Sequence, residues 1–486
     1  MARRAASRDA RRRPASRCAM TIVISALTTI AVMGGYCIAD IYDVLPGVLT
    51  LRQIGTRTVP DPPTARQAGD IASSVDLSIP VSADAAKKVV DEFAATANIG
   101  TSFSIAIADG EGTIVAEHES GTPRQPASTM KTLTAFAAAS TLDMGSTLDT
   151  QTYLIQSDGN VKTLVLKGNG DMLLGEGDND PNHINGRAGL NTLAQRTAQA
   201  LAQRGITQVN LMFDDSLFGD DRTPPNIDEN NAEHRYFTAI ATMAIDGGRI
   251  WGEGTTKPEN PDDSSQYPTL SEYPAQDVAA MFAKRLVDNG ITVNGSPVAG
   301  TVPSGTSALA SVSSAPLSEV MAFMLRHSDN TLADEFGRLT ALKRGTGNSV
   351  AADAQAVSDV LREQGIDTQG LTIADCSGLA PGSQVTVTTL IAVQTRNVRA
   401  DGATAAAEGL SIPGLVGTAR HRIVSGDDNG LYRVKTGSLD QVTSLTGNVS
   451  RTNGGVLSFA VIINDPVNYW EAMQAINVMA ARLPEL

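Results

Sequence analysis

Cysteine is nearly missing from the main part of this 486-residue chain. Of the three cysteines, Cys18 and Cys37 lie close to the N-terminus, which leaves Cys376 alone in the rest. A single thiol cannot form an intramolecular disulfide, so a small disulfide-stabilised scaffold is excluded and the domains must depend on hydrophobic cores. We expect Cys376 to be a small buried apolar residue rather than a reactive thiol.

Paired histidines are missing as well. The five histidines are His118, His183, His234, His327 and His421. They form no HExxH motif and no other spacing typical of metal ligands, so the sequence predicts neither a metal ion nor a cofactor.

Positive charge is scarce beyond the N-terminus. The whole chain carries a net charge of −14, but residues 1–39 contain seven arginines and one aspartate, which leaves −20 for residues 40–486. So acidic a chain repels a phosphate backbone, which argues against nucleic acid as a partner. An anionic substrate would therefore have to be held by a few local cationic groups.

The arginines of the N-terminal tail, residues 1–18, precede an uncharged run over residues 19–39. This run is long enough to cross a bilayer as a helix, and the arginines before it predict a cytoplasmic N-terminus. We predict an uncleaved, single-pass signal-anchor that places the rest of the chain outside the cytoplasm. Because Cys37-Ile38-Ala39 is similar to a cleavage site, a secreted form is the alternative. Residues 40–80 are typical of a linker.

Helical and β-rich segments follow in an uneven order. A hairpin is predicted around Asp109–Gly112, helices dominate residues 317–364, and three β-rich runs between 432 and 463 precede a last helix near 470–482. This order predicts an α+β domain whose antiparallel sheet takes strands from both ends of the sequence and is flanked by helices.

A change in amino-acid composition divides this domain. Between 147 and 312, short strands are broken by glycine, asparagine and aspartate, which predicts an inserted accessory region. We therefore assign residues 81–146 and 313–486 to the main domain and residues 147–312 to the insert.

Three short motifs occur once each: Ser-x-x-Lys at 128–131, Ser-x-Asn at 328–330 and Lys-Thr-Gly at 435–437. The first lies at a predicted helix start, where residues three apart share a face, so the amine could deprotonate the hydroxyl. The second lies in a turn between two predicted helices and the third on a predicted strand. Taken singly, Ser328 and Asn330 could be helix caps, and Lys435 could be a solvated edge-strand lysine.

In this order the motifs are similar to those of serine penicillin-binding proteins and class A β-lactamases. Over residues 80–486 the chain resembles the class C low-molecular-mass penicillin-binding proteins, which are D-alanyl-D-alanine carboxypeptidases and endopeptidases. The supporting stretches are Gly168–Asp171, Phe213–Phe218, Asp375–Leu379 and Gly417–Arg420. The family more often has glycine where Cys376 stands. The resemblance implies a penicillin-binding/β-lactamase-like serine transpeptidase domain with a large insertion between the first two motifs.

The resemblance also implies a catalytic role for three residues. Ser128 would attack the carbonyl between two D-alanines and form an acyl-enzyme, and Lys131 would accept its proton. We expect burial and the nearby charge of Lys435 to lower the pKa of Lys131 for this task. Ser328 would relay a proton to the leaving amine.

The substrate-binding residues that the resemblance implies are Asn330, Lys435, Thr436, Gly437 and Ser438. Lys435 and Thr436 would hold the terminal carboxylate, and Asn330 would bind both the substrate backbone and Lys131. Backbone N–H groups of Ser128 and Ser438 would form the oxyanion hole.

The resulting hypothesis is a serine DD-peptidase that hydrolyses peptidoglycan stem peptides, is acylated by β-lactams, and can have cell-wall synthesis proteins as partners. A β-lactamase and a non-catalytic penicillin-binding scaffold are the alternatives. No Glu-x-x-Leu-Asn stretch follows Ser328, which argues against a class A β-lactamase. For Asp375, Arg420 and Arg422, structural support and a place in the lining of the site stay equally open.

Overall fold

The structure is a computed structural model that describes residues 15–41, 76–155, 161–252, 254–263, 265–399, 402–423 and 430–486. Most of the predicted basic tail (1–14) and of the predicted linker (42–75) lies outside the described residues. The chain divides after Ser74, and Val75–Leu486 is one compact unit.

The helices are α1 (Ala15–Ile41), α2 (Ala83–Ala94), α3 (Lys131–Ala139), α4 (Leu190–Ala202), α5 (Pro274–Asp288), α6 (Leu317–His327), α7 (Asn330–Arg344), α8 (Val350–Glu363), α9 (Val387–Asn397), α10 (Thr404–Glu408) and α11 (Tyr469–Ala480). The strands are β1 (Phe103–Ala108), β2 (Ile114–His118), β3 (Asp149–Ile155), β4 (Lys162–Lys167), β5 (Asp171–Leu174), β6 (Gln208–Asp214), β7 (Met243–Ile245), β8 (Thr292–Ala299), β9 (Ala308–Ser313), β10 (Tyr432–Leu439), β11 (Val442–Ser450) and β12 (Val456–Asn464).

The first sheet has the strand order β10-β11-β12-β1-β2 and is antiparallel throughout. Strand β1 pairs with β12, so that Phe103 lies opposite Ile463. The turn between β11 and β12 contains Gly454 and Gly455, both with positive φ, the conformation that tight hairpin turns demand. This confirms the predicted antiparallel sheet built from both ends of the sequence.

Both faces of this sheet are covered, because successive side chains of a strand point to opposite sides. On one face Ile105 and Ile107 belong to a core that includes Phe93 of α2 and Ile476 of α11. On the other face small residues such as Ala106 allow helix α9 to approach closely, and α3 packs against α9. The domain therefore has helices on both sides of its sheet, as predicted.

A second sheet has the order β8-β6-β4-β3-β9 and takes its strands from residues 149–313. Strands β4, β6 and β8 run parallel, while β3 is antiparallel to both of its neighbours. Both sheets lie in the same compact unit, and the insert boundaries at 147 and 312 stay a prediction.

Helix α1 is described by itself. Its segment Ile22–Asp40 is long and apolar enough to cross a membrane, and most of its large apolar side chains are exposed. This composition fits a membrane anchor and a signal sequence equally well.

Candidate active site

The first motif begins in a short 3-10 turn, Ala127–Met130, and helix α3 starts only at Lys131. The helix predicted to begin near Ser128 thus opens with a 3-10 turn, and its α-helical part begins three residues after Ser128. Side chains three apart eclipse each other in a 3-10 turn, and the Lys131 Nζ atom lies 3.0 Å from Ser128 Oγ. The tighter turn brings the hydroxyl and the amine together.

The backbone just before Ser128 is strained. Ala127 has φ = 50°, a left-handed conformation that costs energy for any residue other than glycine. A side chain at Gly378 would place its Cβ 2.1 Å from the Ala127 carbonyl oxygen, so only glycine fits against this turn. Ser444 Oγ donates to the Pro126 carbonyl across 2.7 Å. These contacts hold Ser128 half-buried at the mouth of the site.

Lys131 is completely buried, and its Nζ atom donates three hydrogen bonds. The acceptors are Ser128 Oγ at 3.0 Å, Asn330 Oδ1 at 2.6 Å and the Ser377 carbonyl at 2.9 Å. Burial lowers the pKa of Lys131 to about 8, although the charges of Asp375, Asp334 and Asp329 oppose the change. A lysine with such a pKa is neutral often enough to act as a base near neutrality.

The expected origin of this lowered pKa needs one correction. Burial acts as predicted, but the charges that affect Lys131 are carboxylates, which raise its pKa. The repulsion between the two lysines instead affects Lys435. Burial, and to a smaller extent the charge of Lys131, lowers the pKa of Lys435 well below its ordinary value.

The second motif occupies the turn between α6 and α7. Ser328 has left-handed backbone angles, φ = 59° and ψ = 36°, and its Oγ accepts a hydrogen bond from Lys435 Nζ at 2.8 Å. Asp329 caps α7 through Leu332 N, so the cap belongs to Asp329 rather than to Ser328 or Asn330. Asn330 instead uses its amide to connect Lys131 with the carbonyl of Tyr236, which accepts from Nδ2 at 2.8 Å.

The third motif lies on β10, the edge strand next to the Ser128 turn. Lys435 is completely buried and also donates to the Thr436 carbonyl at 2.9 Å. It is therefore no solvated edge lysine. The Thr436 hydroxyl lies 2.7 Å from that of Thr418. Ser438 is exposed beyond them.

Gly437 is required by its neighbours within the protein. A Cβ there would lie 2.1 Å from Ser444 Oγ and 2.7 Å from the Pro126 carbonyl oxygen. The absence of a side chain lets β10 pack directly against the turn that carries Ser128. The structure thus brings all three motifs into one cluster of hydrogen bonds.

Asp375 supports the site from behind. Its carboxylate accepts hydrogen bonds from Gly378 N at 2.8 Å, from Leu379 N and Ala380 N at 3.1 Å each, and from the Ser377 hydroxyl. These bonds fix the turn in which the Ser377 carbonyl faces Lys131. Of the two roles left open for Asp375, structural support is the one that its contacts favour.

The two arginines of the sequence analysis differ in burial. Arg422 is buried and donates from Nε to Asn477 of α11 at 2.8 Å, which is a structural contact. Arg420 is exposed.

Sequence reasoning did not single out Ser377, Asp334 or Thr418. The buried Asp334 accepts a hydrogen bond from Cys376 N at 2.8 Å, and burial raises its pKa well above the ordinary value. Cys376 is buried as predicted, with its thiol pKa raised by burial, and its Sγ occupies space that only Gly337 leaves free. Ser377 and Thr418 do fall in stretches that carry the family resemblance.

No group of three or more histidine, cysteine, aspartate or glutamate side chains is placed to hold a metal ion within the part of the chain that the structure describes. The chemistry of the cluster rests on hydroxyls, amines and amides.

Comparison with known proteins gives consistent matches. The sequence model of the D-Ala-D-Ala carboxypeptidase 3 (S13) family matches residues 86–272 and 261–483. Carboxypeptidase DacB of Mycolicibacterium smegmatis is 30% identical over 353 residues, which cover 71% of this chain and 72% of the relative. A D-alanyl-D-alanine carboxypeptidase of Actinomadura sp. is 29% identical over 199 residues, 39% of this chain and 37% of that protein.

Among solved structures, penicillin binding protein 4 of Haemophilus influenzae has a similar fold. Its TM-score is 0.64 at 21% identity, and the match covers 82% of this chain and 99% of that protein.

Proposed function

Since this chain belongs to the D-Ala-D-Ala carboxypeptidase 3 (S13) family and is thus a serine DD-peptidase, we propose that Ser128 is its nucleophile and Lys131 its general base. One observation carries the proposal, namely the 3.0 Å contact between Ser128 Oγ and the buried Lys131 Nζ. A serine hydroxyl becomes a good nucleophile when a neutral base accepts its proton at hydrogen-bond distance.

The reaction begins when the Ser128 oxygen attacks the carbonyl carbon between the two D-alanines. Its proton passes to Lys131, and the carbonyl oxygen takes up negative charge. The backbone N–H groups of Ser128 and Ser438 stabilise this oxyanion, a contribution of about 3–4 kcal/mol for one such donor in other enzymes. The C–N bond then breaks and leaves an acyl-enzyme.

Ser328 gives the leaving amine its proton in this scheme. The 2.8 Å contact with Lys435 supports the assignment, because the buried amine orients the hydroxyl. Ser328 passes on to the amine the proton that Lys131 took from Ser128, so Lys131 is neutral again when the amine leaves. Hydrolysis follows when a water molecule attacks the acyl-enzyme ester and returns a hydrogen to Ser128.

The terminal carboxylate of the substrate would bind at Lys435 and Thr436. Burial and Lys131 lower the pKa of Lys435, and an arriving carboxylate favours the protonated amine again. The resulting charge-assisted hydrogen bond is about twice as strong as a neutral one. A cation at this place meets the need for local positive charge in a chain with a net charge of −14. The amide of Asn330 and the backbone at Gly437 would hold the rest of the peptide.

The substrates would be peptidoglycan stem peptides, and both carboxypeptidase and endopeptidase reactions fit the same Ser128 chemistry. β-Lactams would acylate Ser128 because they offer a strained amide and a carboxylate to the same groups. Helix α1 would place the catalytic unit outside the cytoplasm as a membrane anchor, with its apolar segment Ile22–Asp40 in the bilayer.

Labelling with a fluorescent penicillin tests the nucleophile. Wild-type protein should take up one label per molecule. The Ser128→Ala variant should take up no label and should keep the wild-type melting temperature. Ser140→Ala is the matched control, since Ser140 is an exposed serine at the end of the same helix. Undiminished labelling of Ser128→Ala would place the nucleophile elsewhere.

Mass analysis of products from purified muropeptides tests the reaction. Loss of D-alanine from monomers indicates carboxypeptidase activity, and conversion of cross-linked dimers to monomers indicates endopeptidase activity. Labelling by penicillin without any turnover of either substrate would instead favour a non-catalytic scaffold.

A further inference from the structure

The second motif has a conformation that its own sequence does not favour. Ser328 adopts left-handed backbone angles, which cost energy for a serine, and only in this turn does its Oγ meet Lys435 Nζ at 2.8 Å. Its neighbours must therefore stabilise the turn.

One segment outside the three motifs, residues 236–249, contacts each of the three residues that follow Ser328. The Tyr236 carbonyl accepts a hydrogen bond from Asn330 Nδ2 at 2.8 Å. Thr238 N donates to Thr331 Oγ1 at 3.1 Å. Arg249 Nη2 lies 3.4 Å from Asp329 Oδ2. We call residues 236–249 the bracing segment.

The Arg249–Asp329 pair is the charged contact of the bracing segment with this turn, and it is well shielded. The two side chains are only 11% and 14% exposed, so solvent screens their attraction less than that of a surface pair. Asp329 is the residue directly after Ser328, and its other carboxylate oxygen caps α7. A change in the position of Asp329 would therefore also change the backbone conformation of Ser328.

Arg249 is itself held in place. Its Nη1 lies 3.1 Å from the Asp246 carbonyl and 3.3 Å from the Asp246 carboxylate, and that carboxylate accepts from Trp251 Nε1 at 2.6 Å. A Cβ at Gly247 would lie 3.1 Å from Arg249 Nη1, so the glycine gives the guanidinium room to fold back over its own turn. A group fixed in this way can impose a position on Asp329.

We propose that Arg249 is a positioning residue: through Asp329 it keeps Ser328 in the left-handed turn that holds its hydroxyl against Lys435. The inference rests on the proposed function, in which Ser328 delivers the proton to the leaving amine. Within the described residues Arg249 makes no hydrogen bond to Ser128 or Lys131, whereas it pairs with Asp329 of the second motif.

The first test compares Arg249→Gln with Arg362→Gln in the full-length protein. Arg362 is an exposed arginine of α8 that pairs with Asp359 of the same helix. On a D-Ala-D-Ala peptide we expect Arg249→Gln to lower kcat by about tenfold to 10²-fold with KM little changed, because a small displacement of a reacting group has such an effect. Arg362→Gln should keep wild-type kinetics. Equal losses in both variants, or a loss confined to KM, would overturn the proposal.

A double-mutant cycle with Ser328→Ala separates positioning from a general structural role. If Arg249 acts through Ser328, adding Arg249→Gln to Ser328→Ala should lower the penicillin acylation rate by less than about twofold, since coupled residues are non-additive. A full additional loss in the Ser328→Ala background would show that Arg249 acts independently and would contradict the proposal.

Asp329→Asn tests the same ion pair from its other end. Asparagine remains a good helix cap, so α7 keeps its start while the charge is lost. This variant should show the same loss of kcat as Arg249→Gln at an unchanged melting temperature, and wild-type kcat would overturn the proposal even where Arg249→Gln fails to fold. Ser128→Ala labelling tests the nucleophile separately, so a failure there is distinguishable from a failure of the Arg249 assignment.

Discussion

The Nζ atom of Lys131 lies 2.6 Å from the amide oxygen of Asn330, and this hydrogen bond joins residues 199 positions apart in the chain. The contact ties the helix of the first motif to the turn of the second. Because Lys131 is completely buried, the protein rather than the solvent determines how readily its amine loses a proton.

Acylation should therefore fall as the pH drops. In its proposed role Lys131 must be neutral, and its pKa of about 8 means that protonation removes the proposed base below that pH. We expect kcat/KM to fall by roughly tenfold per pH unit on the acid side, as for a single essential base. Peptide hydrolysis measured between about pH 5 and pH 9 tests this. A flat acid side would contradict a lysine base.

Asp375→Asn should move this acid limb to lower pH. The charge of Asp375 raises the pKa of Lys131, so its removal leaves burial less opposed and lowers that pKa further. The asparagine side chain oxygen can still accept part of the hydrogen bonds that fix the turn at 375–380. The measurement is the pH profile of acylation by fluorescent penicillin, with Glu111→Gln as an exposed control. A shift toward higher pH would refute the assignment.

Lys435→Ala should weaken substrates that carry a free carboxylate. Loss of a hydrogen bond to a charged group costs about 1.5–3 kcal/mol, so we expect kcat/KM to fall by about tenfold to 10²-fold on such a peptide. An ester substrate without the carboxylate should lose clearly less. Lys284→Ala, an exposed lysine on α5, serves as the control. Equal losses on both substrates would mean that Lys435 does not bind the carboxylate.

Glu335→Gln should make stability less dependent on pH. Glu335 is buried on α7, its Oε1 has no hydrogen-bond partner in the described residues, and burial with the charge of Asp171 raises its pKa well above the ordinary value. A carboxyl with a raised folded-state pKa favours folding below its unfolded-state pKa, and this contribution is lost as the pH rises through the folded-state pKa.

The melting temperature of wild-type protein should therefore fall more between about pH 5 and pH 9 than that of Glu335→Gln. The variant should be the more stable of the two at the alkaline end, because it buries no charge. Parallel pH curves for both proteins would contradict this account of Glu335.

The sequence allowed the grouping of the three motifs and the antiparallel sheet to be predicted. Each motif consists of three or four neighbouring residues, and each strand is a run of residues that favour β-structure. Both patterns can be recognised from the sequence alone. The strands β10, β11 and β12 together begin at Tyr432 and end at Asn464, one residue beyond the predicted range of 432 to 463.

What sequence reasoning missed depends on distant contacts. The 3-10 turn at Ser128 exists because Gly378 and Gly437 let two other segments press against it, and no pattern near Ser128 records this. The charged link from Arg249 to Asp329 spans 80 residues, and nothing in either local sequence points to the other. Such contacts follow from packing rather than from periodicity.

The pairing of β1 with β12 also determines when the first sheet can form during synthesis of the chain. Phe103 can pair with Ile463 only after residue 463 has been synthesised, and the turn of Ser128 can pack against β10 only after residue 439 has been. Contacts so distant in sequence form slowly, and chains emerge N-terminus first. A chain still in synthesis thus carries Ser128 and Lys131 without the third motif. The cluster of the three motifs can form only after residues 435–437 have been added.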